Sequence, residues 1–537
     1  MTPQLRAGGI DRSVAEGVFL PNHRPVRAGP IEVMLASVAR DPDRDLFRWP
    51  GGGRMTVGEF AERAMRWAGV LLEEGVRLND RVASFCTNSA EFVALQYGTY
   101  AASCIEVPVN SELRGAMLRA VLTDSEPSII VVEEEFREVV AEHLPPGTRM
   151  LVLDDALAAR VGATDPVEPT INDAADLGLI LYTSGTTGPS KGVMLPHGYL
   201  PFVATNWLAA TRVRPDDVCY FVMPFFHIDA HVHGALSLLS DSVFGFAKRF
   251  SVSRFWDEAA EMGATWFGFV GAMASALLAR RPSEPPAHNF RFATGAPITP
   301  EVFAYFEDEL GIPLYQLYGQ TEADHVTFST PERNKRGSAG WACMGFDVRI
   351  VDEFDDPVAV GESGRIVYRP KEPLMMTYGY WRKPAATAAA CRNLWWHTGD
   401  LGRLDEDGCL WFEGRLSDSL RRRGENISAW ELESTVRAAR GVRSAAAVAI
   451  RDEIGGEDEV KVFLTLDPEE EWDAAAFFSY CEENLPRFAV PRFVEVISED
   501  QIVRGPGTGA IQKHLLPQNN SANTIDRHQV FNQTSNR

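Results

Sequence analysis

The chain has 537 residues, of which 45% are hydrophobic and 23% charged, a balance that is typical of globular proteins. This length exceeds what one hydrophobic core supports, so we expect at least two domains. The formal net charge of −22 argues against nucleic acid or an anionic membrane surface as the main partner, but it leaves local binding of ATP open.

The cysteines and the N-terminal sequence indicate the compartment. Seven cysteines occur without C-x-x-C pairs, which favours reduced thiols over a disulfide framework or a zinc module. The N-terminus lacks the apolar segment of a signal peptide, and no apolar run reaches the roughly 18 residues of a membrane span. We therefore predict a cytoplasmic protein without a membrane partner.

From residue 30 to about 320, short apolar runs alternate with amphipathic helical patterns. Helices are predicted over 57–74, 89–102 and 112–123. Strands are predicted at 81–86, 105–109, 129–132, 150–153 and 177–181, and near 218–223, 243–248, 264–270, 290–294 and 313–318. Alternation of this kind predicts parallel sheets with helices on both faces.

Beyond about residue 335 the strands become shorter and tight turns appear, which predicts an antiparallel, barrel-like subdomain. A small α+β pattern follows residue 415, and the polar, aperiodic stretch 517–537 predicts a disordered tail. The predicted fold is α/β, with a large N-terminal domain of two doubly wound sheets and the barrel-like subdomain. The predicted boundaries are 1–416, 417–516 for the small domain, and 517–537 for the tail.

The segment Tyr182–Gly192 (YTSGTTGPSKG) contains hydroxyl residues, glycines and one lysine directly after a buried strand. Glycines let backbone N–H groups approach an anion, while hydroxyls and an ammonium add donors, so the segment predicts a phosphate cradle. The P-loop of NTPases is excluded, because two residues separate Gly188 from Lys191. A flexible surface loop is the alternative.

The segment YTSGTTGPSKGV resembles the signature of the adenylate-forming superfamily, which includes acyl- and aryl-CoA synthetases, adenylation domains of peptide synthetases, and luciferases. The resemblance extends in order over about residues 30–516. It implies that a carboxylate and Mg-ATP give an acyl-adenylate and pyrophosphate. A small, mobile C-terminal domain then rotates, and coenzyme A attacks the acyl-adenylate.

The second motif is Tyr318-Gly319-Gln320-Thr321-Glu322, at the end of a predicted strand. The resemblance implies that Thr321 donates to a phosphate and that Glu322 binds Mg²⁺, for which a carboxylate is suited. The further residues that it assigns to the nucleotide are Thr183, Ser184, Gly185, Thr186, Thr187, Gly188, Lys191, Gly295, Ala296, Pro297, Asp400 and Arg415. Of these, Thr183 and Lys191 join Thr321, Glu322 and His227 as implied catalytic residues.

The segment Phe225–His233 carries three histidines and one aspartate at short spacing. On a strand, residues two apart share a face, which allows a metal site. The resemblance instead implies that His227 gates an acyl pocket. The implied pocket residues are His227, Asp229, Trp266, Phe267, Gly268, Val270 and His325, although aromatic residues equally fit core packing.

Asp229 leaves two interpretations open. In amino-acid-activating members of the superfamily an aspartate in this region neutralises the substrate ammonium, so a cationic or amino-bearing acid is one hypothesis. A structural hydrogen-bonding role is the other. The F-H-I-D segment, with 250–256 and 422–426, resembles crotonobetaine/carnitine-type CoA ligases.

Further motifs concern the C-terminal domain. The resemblance implies that Arg423, Gly424 and Glu425 contact coenzyme A and that Ser417 is the hinge between the domains. The three arginines 421–423 equally fit a solvated surface, which is the usual role of a charge run.

One position departs from the superfamily. Its last motif carries a lysine that stabilises charge during adenylation, whereas this chain has Ala510 there. The alanine is an engineered change, or a natural feature with Lys513 as a poor substitute, or a sign that the first half-reaction has been lost.

The sequence therefore predicts an ATP-dependent carboxylic acid–CoA ligase that uses ATP, Mg²⁺ and coenzyme A. Its partners would be a small carboxylic acid and coenzyme A or an acyl carrier protein, and a homodimer is left open. The alternatives are an enzyme that loads an amino or hydroxy acid onto a carrier protein, and a non-catalytic paralogue that binds nucleotide or acyl groups.

Overall fold

The computed structural model describes residues 28–113, 115–183, 190–415, 419–422, 425–451, 458–468, 470–485, 489–505, 511–517 and 519–534. The helices are α1 Pro30–Arg40, α2 Val57–Glu73, α3 Ala90–Ala101, α4 Gly115–Ser125, α5 Arg137–Ala141, α6 Asp155–Ala163, α7 Tyr199–Thr211, α8 Ile228–Ser240, α9 Phe255–Met262, α10 Gly271–Ala279, α11 Pro300–Phe303, α12 Pro384–Ala390, α13 Ala429–Arg437, α14 Ala474–Asn484 and α15 Arg527–Thr534.

The strands up to residue 328 are β1 Asp45–Trp49, β2 Gly53–Thr56, β3 Arg81–Phe85, β4 Ile105–Pro108, β5 Ile129–Glu133, β6 Arg149–Leu153, β7 Leu177–Thr183, β8 Lys191–Pro196, β9 Val218–Phe221, β10 Val243–Phe246, β11 Trp266–Val270, β12 Phe292–Ala296, β13 Leu314–Gln320 and β14 Ala323–Phe328. They continue as β15 Trp341–Ala342, β16 Phe346–Val351, β17 Gly364–Pro370, β18 Cys391–Arg392, β19 Trp395–Leu404, β20 Leu410–Arg415, β21 Ser419–Arg422, β22 Glu425–Ser428, β23 Val442–Arg451, β24 Asp458–Leu466, β25 Phe493–Val496 and β26 Thr524–Asp526.

Two sheets confirm the predicted α/β architecture. A six-stranded sheet has the order β6-β5-β3-β4-β7-β8 and is parallel except for the β7–β8 pair. A nine-stranded sheet has the order β15-β14-β13-β12-β11-β9-β10-β1-β2, and its strands from β13 to β1 are parallel. Strands such as β9 and β10 are buried at every position, as expected where helices cover both faces.

An N-terminal capping interaction stabilises α2, one of the helices that cover these sheets. At α2 the Thr56 hydroxyl accepts from the Glu59 N–H at 3.2 Å, and the Glu59 carboxylate accepts from the Thr56 N–H at 2.8 Å. This reciprocal capping box satisfies two of the donors that a helix start leaves open. The helix then buries Phe60, Ala64 and Trp67 on one face.

The described residues group into two compact units. One contains 28–183, 190–348 and 368–396, and the other contains 349–367 and the described residues from 397 onward. A five-stranded sheet has the order β16-β17-β19-β18, with β20 paired to β19. The boundary predicted at residue 416 stays a prediction. None of the described helices combines the length and the apolar character that crossing a bilayer requires.

The C-terminal stretch corrects the predicted disorder of 517–537. Its described residues form β26, which pairs antiparallel with β25, and α15, whose Phe531 packs against Phe478 at 6.4 Å between ring centroids. The polar composition hid this because an added edge strand is held by backbone hydrogen bonds, which need no apolar pattern. The stretch therefore completes the sheet β23-β24-β25-β26.

A buried ion pair depends on the same stretch. The Lys461 ammonium, whose side chain is fully buried, donates to the Glu495 carboxylate at 2.6 Å, to the Asn519 carbonyl at 2.9 Å and to the Thr524 hydroxyl at 3.2 Å. Thr524 also donates to Glu495 at 2.7 Å. Such a pair is stable only when its remaining hydrogen bonds are satisfied.

We predict that a chain ending at Leu516 loses stability in its C-terminal unit, by roughly 2–4 kcal/mol, because Lys461 and Glu495 lose two partners and the edge of β25 is exposed. Hydrogen exchange of the β24 and β25 amides measures this. A chain ending at Thr534 is the matched control. Equal exchange in both chains would contradict the prediction.

Candidate active site

The base of the predicted phosphate loop is an antiparallel strand pair. Thr183 ends β7 and Lys191 begins β8, and the two are cross-strand partners. The Thr183 hydroxyl donates to the Lys191 carbonyl at 3.4 Å. Ser184, Gly185, Thr186, Thr187 and Gly188, the predicted phosphate ligands, lie outside the described residues. The strand pair thus brings both predicted catalytic residues of this motif to one end of the sheet.

The second motif forms a hairpin turn. Gln320 ends β13 and pairs with Ala323 at the start of β14, so Thr321 and Glu322 are the two turn residues. Gly319 is required just before the turn, because a Cβ there would lie 1.6 Å from the Asp324 carbonyl oxygen. Glu322 is buried while Thr321 is partly exposed. The Glu322 carboxylate is therefore held within the protein close to the turn.

Tyr380 joins these two motifs. Its hydroxyl donates to Glu322 Oε1 at 2.6 Å, and Lys191 Nζ lies 4.9 Å from the centroid of its ring. Thr377 adds a second connection, because its N–H donates to the Glu322 carbonyl at 2.8 Å and its hydroxyl donates to the Met194 carbonyl at 2.9 Å. A cation and a carboxylate that are 131 positions apart in sequence are thereby fixed against one tyrosine.

Tyr380 and Thr377 are not among the site residues predicted from the sequence. The available signal was the aromatic run Tyr378-Gly379-Tyr380-Trp381, whose glycine has φ of +111°. Several aromatic residues together in a segment without helical or strand periodicity indicate that the segment packs against another part of the protein. The sequence pattern does not show which strand or turn is the partner.

The carboxyl ends of the parallel strands β9, β11 and β12 meet at one edge of the nine-stranded sheet, where ligands bind in open α/β sheets. His227 follows β9, Val270 ends β11, and Ala296 ends β12 before a cis bond to Pro297. All of these except Pro297, which is exposed, are partly exposed. Gly295 is needed because a Cβ there would lie 2.2 Å from the Phe269 carbonyl oxygen.

The structure favours core packing for Phe267, and its predicted place in the acyl pocket stays a prediction. Side chains alternate along β11, so Phe267 points to the face opposite that of Trp266 and Gly268. It packs in the core, 4.7 Å from Phe290 and 5.2 Å from Phe255 between ring centroids.

The suggested metal site among the histidines is also corrected. Residues 228–240 form α8 and not a strand, so His231 and His233 project from different faces of a helix. Among the described residues no group of three or more His, Cys, Asp or Glu side chains is arranged to hold a metal ion.

His231 serves a buried polar network instead. Its Nε2 lies 3.1 Å from Glu106 Oε1 on β4, and its Nδ1 lies 3.0 Å from the His227 carbonyl oxygen. Tyr100 donates to the same Glu106 carboxylate. Burial alone would lower the pKa of His231, but the Glu106 charge and these hydrogen bonds raise it above its ordinary value. This buried ion pair joins α8 to the six-stranded sheet.

For His227, His233 and Asp229, by contrast, burial shifts the pKa towards the neutral form of the side chain. Burial lowers the pKa of His227 to about 4, and the charge of His231 adds to the effect. Burial also lowers the pKa of His233 to about 4. Burial and the nearby Asp324 raise the pKa of the Asp229 carboxyl to about 8. His227 and His233 are therefore neutral at pH 7.

In the second unit, Asp400 on β19 and Arg415 on β20 are cross-strand partners, so the two predicted ribose residues are adjacent. Asp400 is 2% exposed, and its N–H donates to the Thr398 hydroxyl at 3.0 Å. Glu425 begins β22 opposite Arg422. The predicted coenzyme A residues Arg423 and Gly424, the hinge Ser417 and Ala510 lie outside the described residues.

Comparison with known proteins identifies the family. Residues 35–381 match the family model of the AMP-binding enzymes, and residues 431–504 match that of the AMP-binding enzyme C-terminal domain. The crotonobetaine/carnitine–CoA ligase of Salmonella heidelberg (strain SL476) is 30% identical over 464 residues, which cover 82% of this chain and 90% of that relative. This chain belongs to the AMP-binding enzyme family.

Solved structures agree with this assignment. ATP-bound MatB from Rhodopseudomonas palustris is 27% identical, with a TM-score of 0.83 over 90% of this chain and 98% of that one. The o-succinylbenzoate CoA synthetase of Bacillus subtilis, solved with its acyl-adenylate, has a TM-score of 0.83 at 22% identity and supports the fold alone. The predicted superfamily and fold are confirmed. The enzyme class, an AMP-forming acid–thiol ligase that uses ATP and coenzyme A, is confirmed at the level of the family.

We predict that the thermal midpoint falls as the pH drops from about 6.5 towards 4. Histidines titrate near 6.5 when unfolded, whereas burial lowers the pKa of His197, His227 and His233 to about 4 in the fold. Between these values the unfolded chain binds protons that the folded chain does not, so stability present above about pH 6.5 is lost as the pH falls.

Calorimetric scans across this pH range measure the effect. Below about pH 6.5 His231 is protonated in both the folded and the unfolded chain and adds little to this slope. The raised pKa values of the Asp229 and Glu433 carboxyls act in the opposite direction, so the net slope reflects three histidines against two carboxyls. His197→Leu should flatten the slope, while His143→Gln, at a solvent-exposed contact with Arg119, should leave it unchanged. A midpoint that rises on acidification would contradict the prediction.

Proposed function

We propose that the protein is an ATP-dependent carboxylic acid–CoA ligase that forms an acyl-adenylate, and that alanine at position 510 slows its adenylation step. The observation that carries the proposal is the junction of Lys191, Tyr380 and Glu322. It holds a cation and a buried carboxylate against one tyrosine beside the predicted phosphate loop.

In the first half-reaction an oxygen of the substrate carboxylate attacks the α-phosphorus of ATP. The bond from this phosphorus to the bridging oxygen breaks, and pyrophosphate leaves. Lys191 offsets negative charge on the phosphates and the Thr321 hydroxyl donates to them, so both stabilise the displacement. Asp400 and Arg415 are assigned to the ribose, where a carboxylate can accept from both hydroxyls.

Glu322 fits a Mg²⁺ ligand, because it is a buried carboxylate whose orientation Tyr380 fixes. When bound, Mg²⁺ would neutralise phosphate charge. The contribution of the chain is to hold the carboxylate in place before ATP arrives, so that little reorganisation is needed.

In the second half-reaction the sulfur of coenzyme A attacks the acyl carbon. The bond from this carbon to the phosphate oxygen breaks, AMP leaves, and the thiol proton is released. We assign His227 to the pocket beside the reacting carbonyl, where a neutral ring offers a hydrogen bond without added charge. Arg423, Gly424 and Glu425 are assigned to coenzyme A and Ser417 to the hinge.

The lysines of the C-terminal region support the role given to Ala510. Beyond residue 397 the sequence contains only Lys461 and Lys513. Lys461 pairs with Glu495 at 2.6 Å, and Lys513 pairs with Glu433 at 2.9 Å. Because both ammonium groups are held in ion pairs, neither is a ready substitute for the missing lysine. Slow adenylation follows from this, whether the alanine is natural or engineered.

We predict that Tyr380→Phe lowers the rate of pyrophosphate release about 10- to 100-fold and raises the Mg²⁺ concentration needed, because Glu322 loses the donor that orients it. Tyr220→Phe is the matched control, since Tyr220 donates to the buried Glu258 at 2.5 Å outside the site. Both variants should lose similar stability. A similar loss of activity in both would count against the assignment of Glu322.

We also predict that Ala510→Lys raises pyrophosphate release roughly 100-fold with a suitable acid, because a cation at this position stabilises the displacement. Thioester formation from supplied acyl-adenylate should change little. Short, aromatic and cationic acids form the panel, and Ala510→Met controls for side-chain length.

The two half-reactions separate the alternatives. Thioester formation with free coenzyme A excludes a strict dependence on a carrier protein. If the lysine form releases no more pyrophosphate than the methionine form with any acid, and nucleotide still binds, the protein is a binding paralogue and the proposal fails.

A further inference from the structure

Beside Asp229, several fully buried polar atoms have no hydrogen-bond partner. They are His233 Nε2, Trp266 Nε1, Thr294 Oγ1 and His325 Nε2, and their residues are at most 2% exposed. Three of these residues lie around Trp207, whose ring centroid is 4.8 Å from that of His233, 5.5 Å from that of His325 and 6.2 Å from that of Trp266. Thr294 is the cross-strand partner of Gly268. Buried polar atoms are nearly always paired, so a group of unpaired ones marks a place where a ligand or water can bind.

The orientation of His233 determines what its free nitrogen can bind. Its Nδ1 lies 2.6 Å from the Asp229 carbonyl oxygen, which only accepts, so Nδ1 carries the proton. The ring is neutral because burial lowers its pKa to about 4. Nε2 is therefore an acceptor, and it requires a donor from the ligand.

Two carboxyl side chains, those of Asp229 and Asp324, lie near His233. Asp324 Oδ2 accepts from the Trp207 indole at 3.3 Å and lies 3.2 Å from His325 Nδ1. Asp229 is on the same helix as His233, and burial together with the nearby Asp324 raises the pKa of its carboxyl to about 8. Among the described contacts of these residues there is no lysine or arginine. A cation beside Asp229 would favour the ionised form of this carboxyl and pair with it.

Gly268 leaves room for a small group between His233 and Met223. A Cβ on Gly268 would lie 3.7 Å from His233 Nε2 and 3.4 Å from the terminal methyl of Met223, so the glycine leaves a gap in front of the nitrogen. A methionine side chain is flexible and can move aside. Asp229 is partly exposed, which is consistent with a position on the wall of the pocket whose rim includes His227.

We propose that the acyl pocket of this enzyme ends in a floor made by Asp229, His233, Thr294 and Asp324, and that it selects acids whose far end carries a protonated amino group. The inference rests on the proposed ligase function and names its substrate class. The ammonium N–H donates to His233 Nε2, and its charge pairs with the Asp229 carboxyl, whose ionised form it favours. The Trp266 N–H, itself a donor, is not explained by this ligand.

Three related acids test separately whether the floor requires a positive charge or a hydrogen-bond donor on the ligand. A hydrocarbon acid would leave the buried acceptors unpaired, a trimethylammonium acid would supply charge without an N–H donor, and a hydroxy acid would supply a donor without charge. An amino acid alone supplies both. Crotonobetaine and carnitine, after which the similar ligases are named, carry a quaternary ammonium, so the trimethylammonium acid also tests whether this chain differs from those ligases in the acid that it selects.

The test is calorimetric binding of these four acids, matched in chain length, to the full chain in the presence of AMP. No turnover is required, so the result does not depend on residue 510. The amino acid should bind about tenfold or more tightly than each of the other three, as expected for a hydrogen bond to a charged group. His233→Leu should abolish its advantage over the trimethylammonium acid, and Asp229→Asn its advantage over the hydroxy acid.

His197→Leu is the matched control, because His197 is also buried and neutral but packs against Tyr100, away from the floor. It should change stability without changing the order of the acids. The inference is overturned if the hydrocarbon or trimethylammonium acid binds as tightly as the amino acid, if no acid binds, or if His233→Leu weakens all four equally. If the Ala510→Lys form releases pyrophosphate with a hydrocarbon acid, the proposed ligase function stands and only the proposed selectivity of the floor is overturned.

Discussion

The candidate site depends on the hydrogen bonds of a short segment, Thr377–Tyr380. This segment bonds to β8 through Met194 and Val193 and to the β13–β14 turn through Glu322. The phosphate-loop base and the carboxylate turn belong to different sheets, and strand pairing alone would not fix their separation. With the segment in place, Lys191 and Glu322 are held in position before any ligand arrives, which is the condition for electrostatic stabilisation without reorganisation.

The histidines of α8 show that burial and neighbours decide the charge of a side chain. His227, His231 and His233 lie within seven residues, yet burial lowers the pKa of two of them while Glu106 raises that of the third. The ring with the raised pKa faces the Glu106 carboxylate in the core, and one of the neutral rings is His227, the predicted gate of the acyl pocket. If His227 has that role, this division keeps a positive charge out of the predicted pocket while α8 stays fixed to the sheet.

The sequence predicted what depends on local patterns. Alternating apolar runs and helical patterns predicted the two sheets, and glycine-rich motifs at strand ends predicted the base of the phosphate loop and the Thr321–Glu322 turn. Periodicity failed where a short pattern was ambiguous. The alternation over His227–His233 resembles a strand, but the apolar stretch continues to Ser240 and has the length of a helix. The face to which Phe267 points follows only from strand register.

Contacts between distant positions could not be predicted in the same way. Tyr380 reaches Glu322 from 58 residues away, and His231 reaches Glu106 from 125 residues away. Nothing in one local window specifies such pairs, because each partner alone fits a surface or core role equally well. The roles of residues such as Asp400 and Arg423 therefore stay predictions.

The strand β26 also covers an edge of the sheet at which two copies of the protein could otherwise pair. An unpaired edge strand exposes N–H and C=O groups in a row, and another chain can pair with them. In the C-terminal sheet, β26 occupies the edge of β25, and its own three residues are too few to offer a long template. A stretch whose composition suggests a dispensable tail therefore shields a β-edge, and trimming it for crystallisation or fusion would expose a surface prone to self-association.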